Sequence, residues 1–213
     1  MSHFSAIVLG ATGLVGKALV KQLLNDKRYH HITLLVRRPL PDSLFADPEQ
    51  KLQVVVTDFD KLDDYQGYFS VDHAYVCLGT TIKQAGSKAA FRKVDFEYVH
   101  AAAQCARAQH CQSFVWISSI GANANSSNFY LRVKGELENA ILPMLNLRKP
   151  AAVQPSLLLG EREESRPLER LGILLGKLVA PMMIGPLRKY RPVEADTVAR
   201  NMMALQDFSA PRA

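Results

Sequence analysis

Apolar positions along the chain alternate between short β-branched runs and longer stretches with helical spacing. The longer stretches predict helices over Leu14–Asn25, Lys88–Gln109 and Tyr130–Leu142. The short runs predict strands over Ala6–Leu9, His31–Val36, Leu52–Asp58, Asp72–Gly79, Ser113–Ser119 and Ala152–Gly160. Alternation of this kind is typical of a parallel sheet with helices on both faces. Because crossovers between parallel strands are right-handed, the pattern predicts an α/β fold with a doubly wound parallel sheet.

The length of 213 residues suits one α/β domain, and no repeat, low-complexity tract or linker marks a second one. Residues 160–213, with a terminal helix near Glu194–Gln206, predict a small cap on the carboxyl edge of the sheet. The apolar stretch Leu168–Met183 is expected to pack there, with an oligomer contact or a membrane surface as alternatives. The longest late apolar run, Leu171–Gly185, is shorter than the ~20 residues that cross a bilayer, so no membrane span is expected.

The charge balance is basic, with a formal net charge of +6 and a pI of about 9.3. Lysine and arginine are spread along the whole chain, without a basic tail or an arginine-rich tract. We therefore expect no nucleic-acid partner. The partner expected instead is a small molecule, whose identity the sequence does not specify.

The cysteines Cys77, Cys105 and Cys111 form no Cys-x-x-Cys pair, so neither a disulfide framework nor a zinc site is expected. The opening segment, Met1–Gly10, runs into a predicted strand without the charged start and long apolar stretch of a secretory signal. Together these features predict a cytoplasmic location.

Three glycines, Gly10, Gly13 and Gly16, separate the first predicted strand from the first predicted helix. In a doubly wound sheet this turn lies at the carboxyl edge, where ligands bind. Glycine lets a pyrophosphate approach the backbone, and the helix N-terminus offers free N–H groups and a positive dipole end. The spacing is Gly-x-x-Gly-x-x-Gly, not the usual Gly-x-Gly-x-x-Gly, so a merely structural turn is the alternative. The position between strand and helix favours a nucleotide cradle.

Two arginines, Arg37 and Arg38, follow the second predicted strand. Sites that prefer NAD place an acidic residue there, whereas arginine accommodates the 2′-phosphate of NADP through a bidentate pair. The sequence therefore favours NADP(H) over NAD(H), with two solvated arginines as the alternative. Asp58, just past the third strand, is placed to meet the adenine edge, unless it is only a turn residue.

Tyr130 and Lys134 are four residues apart on a predicted helix and so share a face. A phenol, with an ordinary pKa near 10, is a poor acid–base group at neutral pH unless a nearby cation stabilises its phenolate. A lysine one turn away supplies that cation. Ser119, at the end of the fifth predicted strand and preceded by Ser118, offers a hydroxyl that can orient a substrate carbonyl.

The chain resembles the atypical short-chain dehydrogenases/reductases, a branch of the NAD(P)-binding Rossmann-fold superfamily. Within that branch it is similar to the Tat-interacting-protein-30-like group of small NADP-binding proteins. The matching stretches extend over most of the chain, to about residue 164, and are "GATGLVG", "LLVRR", "VVTDFD", "CLGTT", "FRKVDFEYV", "WISSIGA", "SSNFYLRVKGE" and "PSLLLGERE".

The resemblance implies roles for individual residues. Tyr130 is the implied proton donor, Lys134 its partner and the anchor of the nicotinamide ribose, and Ser119 the orienter of the carbonyl. Leu157 is implied to flank the nicotinamide. The implied cofactor contacts are Gly10, Thr12, Gly13, Leu14, Val15, Arg37, Arg38, Asp58, Leu78 and Gly79.

The chain departs from the family pattern at three places. Many relatives carry asparagine in the loop after the fourth strand and in the following helix, where this chain has Gly79-Thr80 and Asp95. Gln154 stands where many relatives have arginine before the proline. The first two departures weaken the expectation of a complete proton relay.

The leading hypothesis is an NADP(H)-dependent oxidoreductase that transfers hydride to or from a small carbonyl or alcohol, with Tyr130 as acid and base. One alternative is a regulatory protein that senses NADP(H) without turnover. The other is a sugar-nucleotide epimerase or dehydratase, against which stands the short chain beyond Lys134. If the protein follows its relatives, it forms a homodimer through the helices Lys88–Gln109 and Tyr130–Leu142.

Overall fold

Parallel strands make up the central sheet of the protein. A computed structural model describes residues 3–156, 158–159, 193–209 and 211 of the chain. Within this part of the chain six strands pair in the order β3-β2-β1-β4-β5-β6. The order, with two halves built outward from β1, confirms the doubly wound sheet and the Rossmann fold. The strands are β1 Phe4–Leu9, β2 Tyr29–Val36, β3 Leu52–Val56, β4 His73–Val76, β5 Ser113–Ile117 and β6 Pro150–Val153.

The sixth strand is shorter than the sequence pattern predicts. It ends at Val153, and the prolyl residue Pro155, which has no N–H to donate, follows it. The chain then forms a separate pair of short parallel strands, β7 Leu158–Leu159 with β8 Val193–Glu194.

Helices cover the sheet. They are α1 Leu14–Asn25, α2 Ile82–Ala85, α3 Lys88–Arg92, α4 Tyr98–Ala108, α5 Phe129–Ile141 and α6 Ala195–Ala204. All but the short α2, which was not predicted, match the predicted positions closely. A π-helical turn, Lys93–Glu97, joins α3 to α4, so the predicted long helix is continuous but widened at its middle. Two 3₁₀ segments that the pattern did not predict, Asp42–Leu44 and Phe59–Phe69, precede and follow β3.

The core lies on both faces of the sheet. On one face, α1 and α6 pack together over β1, with Leu19 and Met202 fully buried. On the other face, α4 and α5 pack over β4 and β5, with Phe114 and Trp116 fully buried. The candidate site lies at the carboxyl ends of these strands.

A buried polar network closes the opposite edge of the sheet. The Tyr29 hydroxyl lies 2.6 Å from His73 Nδ1 and 2.7 Å from the Tyr75 hydroxyl, and His73 Nε2 lies 2.7 Å from the Asp207 carbonyl oxygen. Because that carbonyl only accepts, Nε2 carries the proton and Nδ1 accepts from Tyr29. Burial lowers the pKa of His73, so the ring is held neutral.

The predicted terminal helix is present as α6 and packs against α1. Leu157 and residues 160–192, the greater part of the predicted cap and the whole of Leu168–Met183, lie outside the described residues. No helix among the described residues is long and apolar enough to cross a membrane.

Candidate functional site

The turn between β1 and α1 is packed too closely for side chains at two of its glycines. Gly10 has a φ of +84°, and a Cβ there would lie 2.6 Å from the carbonyl carbon of Cys77. A Cβ on Gly16 would lie 2.0 Å from the carbonyl oxygen of Gly10. The turn therefore requires glycine at both positions, which brings the start of α1 directly against the ends of β1 and β4.

Among the residues that the structure describes, no side chain caps the N-terminus of α1. Gly13 is the N-cap residue, and both Gly13 and Thr12 are exposed. The amides of the first helical turn have no intrahelical acceptor, so they are available to an anion at the positive end of the dipole. Leu14 is half-buried and the Val15 side chain is buried in the core, so a contact of Val15 with a ligand would have to come from its backbone.

A pocket of about 340 Å³ lies between the ends of β2 and β3, the start of the 3₁₀ segment Phe59–Phe69 and the helix α4. Arg37 and Asp58 both line it, together with Phe59 and Tyr98. Arg38 is exposed and is not among the lining residues. Two of the three residues predicted for the adenosine half of a cofactor therefore share one pocket.

Tyr98 is a lining residue that the sequence analysis missed. Its hydroxyl donates to Asp60 Oδ1 at 2.8 Å, and Lys93 Nζ lies 2.7 Å from the same oxygen. Its ring meets Phe59 edge to face, with centroids 5.6 Å apart. Burial, and next the hydrogen bond to Asp60, raise the pKa of Tyr98. No local pattern distinguishes Tyr98 in the alanine-rich helix, because its position depends on the fold of the 3₁₀ segment.

The loop after β4 meets the π-helical turn. Leu78 is buried, Gly79 is exposed, and the Thr80 N–H donates to Asp95 Oδ2 at 2.8 Å. A Cβ on Gly79 would lie 3.7 Å from Asp95 Oδ1, an ordinary contact, so glycine is not required there by packing. The loop is thus fixed by a backbone hydrogen bond to a buried carboxylate.

Asp95 and Lys134 form a buried ion pair. Lys134 Nζ lies 2.7 Å from Asp95 Oδ1, with the side chains 2% and 1% exposed respectively. Desolvation raises the pKa of Asp95, and the charge and hydrogen bond of Lys134 oppose that rise. Lys134 Nζ also donates to the carbonyl oxygen of Ile117, at 3.3 Å, where β5 ends. The lysine is therefore fixed between the π-helical turn and the fifth strand.

Tyr130 lies one helical turn before Lys134 on α5. Its side chain is half-buried, and its ring centroid lies 5.6 Å from that of Phe91. Within the described residues no side chain forms a hydrogen bond with its hydroxyl. The phenol is therefore held at its ring, and among the described residues its oxygen has no hydrogen-bond partner.

Gly135 lets α5 approach the loop that follows β5. A Cβ on this residue would lie 2.2 Å from the Ala124 nitrogen and 2.3 Å from the Asn123 carbonyl carbon. The side chain of Asn128 caps the helix by accepting from the Leu131 N–H. This close approach sets the distance between α5 and the end of β5, where the serines lie.

The two serines after β5 have different surroundings. Ser118 is buried, and its hydroxyl donates to Glu138 of α5. Glu138 also accepts from Gln154 Nε2 at 2.9 and 3.0 Å. Ser119 is half-buried, and among the described residues its hydroxyl has one long contact, of 3.4 Å, with the Ile120 carbonyl oxygen. Ser119 is thus the hydroxyl that remains available, and Gln154 ties β6 to α5 where many relatives have arginine.

A family model described as NAD(P)H-binding matches residues 10–146. Protein HTATIP2 of Rattus norvegicus is 39% identical over 172 residues, which cover 80% of this chain and 69% of that protein. Protein FMP52-1, mitochondrial, of Scheffersomyces stipitis is 37% identical over 171 residues, which cover 77% of this chain and 71% of that protein. These matches agree with the resemblance that the sequence motifs carry.

Solved structures share the fold at low identity. MoeE5 in complex with UDP-glucose and NAD gives a TM-score of 0.68 at 14% identity, covering 96% of this chain and 72% of that chain. The reductase domain of PhqB from Penicillium fellutanum gives 0.69 at 16% identity, covering 97% and 65%. At these identities the likeness establishes the fold alone.

The names of the relatives contradict the predicted cytoplasmic location. Yeast relatives that are 32–37% identical to this chain are named mitochondrial. The prediction was wrong because it rested on the cysteine spacing and on the composition of Met1–Gly10, and both bear only on secretion. They do not distinguish the cytosol from a mitochondrion.

Proposed function

The chain belongs to the NAD(P)H-binding family, and from that membership and the site we propose that it is an NADP(H)-dependent oxidoreductase. The reaction proposed is reduction of a small carbonyl compound, or oxidation of the corresponding alcohol. The observation that carries the proposal is the half-buried Tyr130 with its free hydroxyl, one turn before a buried Lys134. Mitochondrial names among the yeast relatives favour a mitochondrial location for this chain as well.

The turn between β1 and α1 fits the pyrophosphate of a dinucleotide. The turn at Gly10 and Gly16 has no room for side chains, and the uncapped α1 presents free amides beside it. We propose that these amides hold the pyrophosphate, with Thr12 and Gly13 at the exposed side of the turn. The nicotinamide of such a cofactor supplies a hydride acceptor or donor, a capacity that no protein side chain has.

Arg37 carries the proposed preference for NADP(H). It lines the pocket of about 340 Å³ at the ends of β2 and β3, where its guanidinium can form a bidentate pair with a 2′-phosphate. Asp58 shares that pocket but already accepts from the Asp60 N–H at 3.0 Å, so its second oxygen is the one left for an adenosine group. We assign Arg38 a smaller part, since it does not line the pocket.

Lys134 is proposed to act on both the cofactor and the phenol. An ammonium group has three N–H bonds, and within the described residues Asp95 and Ile117 accept two of them. One N–H therefore remains for a ribose hydroxyl. The positive charge on the same face as Tyr130 stabilises the phenolate that forms when the hydroxyl gives its proton to the substrate oxygen.

Ser119 is proposed to orient the substrate carbonyl. Its hydroxyl is free of strong partners, whereas that of Ser118 is used by Glu138. A donor aimed at the carbonyl oxygen stabilises the negative charge that develops there as the hydride arrives. Tyr130 and Ser119 would then share the same oxygen, one as proton donor and one as hydrogen-bond donor.

The test is a fluorescence titration with NADPH and NADH, on the wild type and on the Arg37→Ala and Arg38→Ala single variants. We expect Arg37→Ala to weaken NADPH binding by about 10- to 100-fold, as loss of a charge-assisted bidentate pair does. NADH binding should stay within about twofold, and Arg38→Ala should have the smaller effect on NADPH. Wild-type protein that binds neither nucleotide would refute the proposal.

Turnover is tested separately, by a screen of aldehydes and ketones with NADPH and with Tyr130→Phe as the matched control. Loss of reduction in the variant at unchanged NADPH affinity supports the acid–base role. Tight NADPH binding without any Tyr130-dependent turnover would favour the sensing regulator instead.

A further inference from the structure

Asp95 has a different partner on each carboxylate oxygen. Oδ1 lies 2.7 Å from Lys134 Nζ, and Oδ2 accepts the Thr80 N–H at 2.8 Å. One buried carboxylate thus connects the loop after β4 with the lysine on α5. These two elements come from distant parts of the chain, and Asp95 contacts both.

The π-helical turn places this charge in an apolar surface. Phe91, Asp95 and Val99 follow each other on the buried face of the continuous helix, and each is 1% exposed or less. A carboxylate in such a surface is costly unless each oxygen has a strong partner. Turns of this kind often occur where a helix serves a functional site rather than a packing role.

The two partners of Asp95 are both donors, so the site requires two acceptor atoms. Asparagine, which many relatives carry in this helix, has a single acceptor oxygen and an NH₂ group. In either orientation of that amide, the NH₂ group would face the Thr80 N–H or the Lys134 ammonium. The arrangement in this chain therefore needs an acid, and an amide of the same shape leaves a buried donor facing another donor.

We propose that Asp95 is a positioning residue that couples the loop after β4 to Lys134. The carboxylate fixes Thr80, next to the predicted cofactor contact Gly79, and holds the lysine so that one N–H remains for the nicotinamide ribose. Asp95 itself touches neither cofactor nor substrate. This inference rests on the proposed function, because it assigns the loop and the lysine to the nicotinamide half of the dinucleotide.

The test compares two probes on the Asp95→Asn variant: NADPH, and adenosine 2′,5′-bisphosphate, which lacks the nicotinamide half. We expect the Kd for NADPH to rise about tenfold or more, which corresponds to about 1.4 kcal/mol or more. Binding of adenosine 2′,5′-bisphosphate should stay within about twofold, and it also reports that the cradle is folded. The exposed Asp64, changed to Asn, is the matched control and should alter neither Kd.

A double-mutant cycle with Lys134→Met tests whether Asp95 acts through the lysine. We expect Asp95→Asn to weaken NADPH binding less than about twofold further when Lys134 is already methionine. Full additivity of the two effects would overturn the coupling. Equal weakening of both probes by Asp95→Asn would also overturn it, since the residue would then support the fold alone. Wild-type protein that binds neither probe would overturn the proposed function, and this inference with it.

Discussion

Replacement of Gly135 by alanine tests whether the spacing between α5 and the loop after β5 sets the active geometry. The added Cβ would lie 2.2 Å from the Ala124 nitrogen and 2.5 Å from the Asn123 Cα. Both are backbone atoms, so no side-chain rotation relieves the clash. The helix or the loop must move by about 1 Å to restore ordinary contact distances.

Two opposing effects determine the stability of Gly135→Ala. Alanine in a helix interior is favoured over glycine by about 1 kcal/mol. Overpacking of a tight site costs about 1–3 kcal/mol, and a clash with backbone belongs at the upper end. We therefore expect a net loss of about 1–2 kcal/mol in the free energy of unfolding.

The effect on function should exceed the effect on stability. Tyr130 and Lys134 lie on the helix that is displaced, and a misplacement of about 1 Å at a reacting group can lower turnover by about 100-fold. The assays are urea unfolding, NADPH titration and NADPH-dependent reduction. Gly67→Ala is the control, because nothing lies within 4 Å of its added Cβ. A stable Gly135→Ala variant with wild-type turnover would refute the reasoning.

Two further predictions concern the serines and the buried histidine. Ser118→Ala should lower the free energy of unfolding by about 1–3 kcal/mol, because the hydrogen bond to Glu138 is lost. Ser119→Ala should instead lower kcat at a nearly unchanged free energy of unfolding. The reverse pattern in urea unfolding and kinetics would contradict these assignments. Burial lowers the pKa of His73 below its ordinary value of 6.5, so the folded state binds fewer protons than the unfolded state. The free energy of unfolding should therefore fall as the pH drops below about 6.5, by up to about 1.4 kcal/mol per pH unit. Urea unfolding at pH 7.5 and 5.5 checks this, and His73→Gln, which cannot gain the proton, should show a smaller loss; equal losses would exclude His73 as the cause.

The sheet and its main helices were predictable because their periodicity is local. Ala6–Leu9 is continuously apolar, and His31–Val36 is apolar except for His31 and Thr33, as is typical of strands buried on both faces. Helices α1 and α5 have clear apolar stripes. The end of β6 was not predicted correctly, since periodicity does not locate the residue at which pairing stops. The 3₁₀ segment Phe59–Phe69 also escaped prediction, because only three of its positions are buried, too few to form a distinct apolar stripe.

The candidate site was predictable in its residue types and less so in its contacts. Glycine, arginine, tyrosine and lysine at fixed offsets indicated the cradle and the acid–base pair. Asp95 was noticed only as a departure from the family, although an acid between Phe91 and Val99 on an apolar helix face signals a buried partner. Its pairing with Lys134 depends on how two distant helices cross, and sequence spacing does not contain that information.

The packing of α6 against α1 affects how the chain folds during its synthesis. Gln22 on the first helix donates to the carbonyl oxygen of Asp196 on the last, a contact between residues 174 positions apart. Helix α1 therefore lacks this neighbour until residues 195–204 have left the ribosome, and closure of so long a loop delays folding. Until then its apolar outer stripe is open to chaperones, and a chain that stops short of α6 keeps the cradle sequence without the layer that supports it.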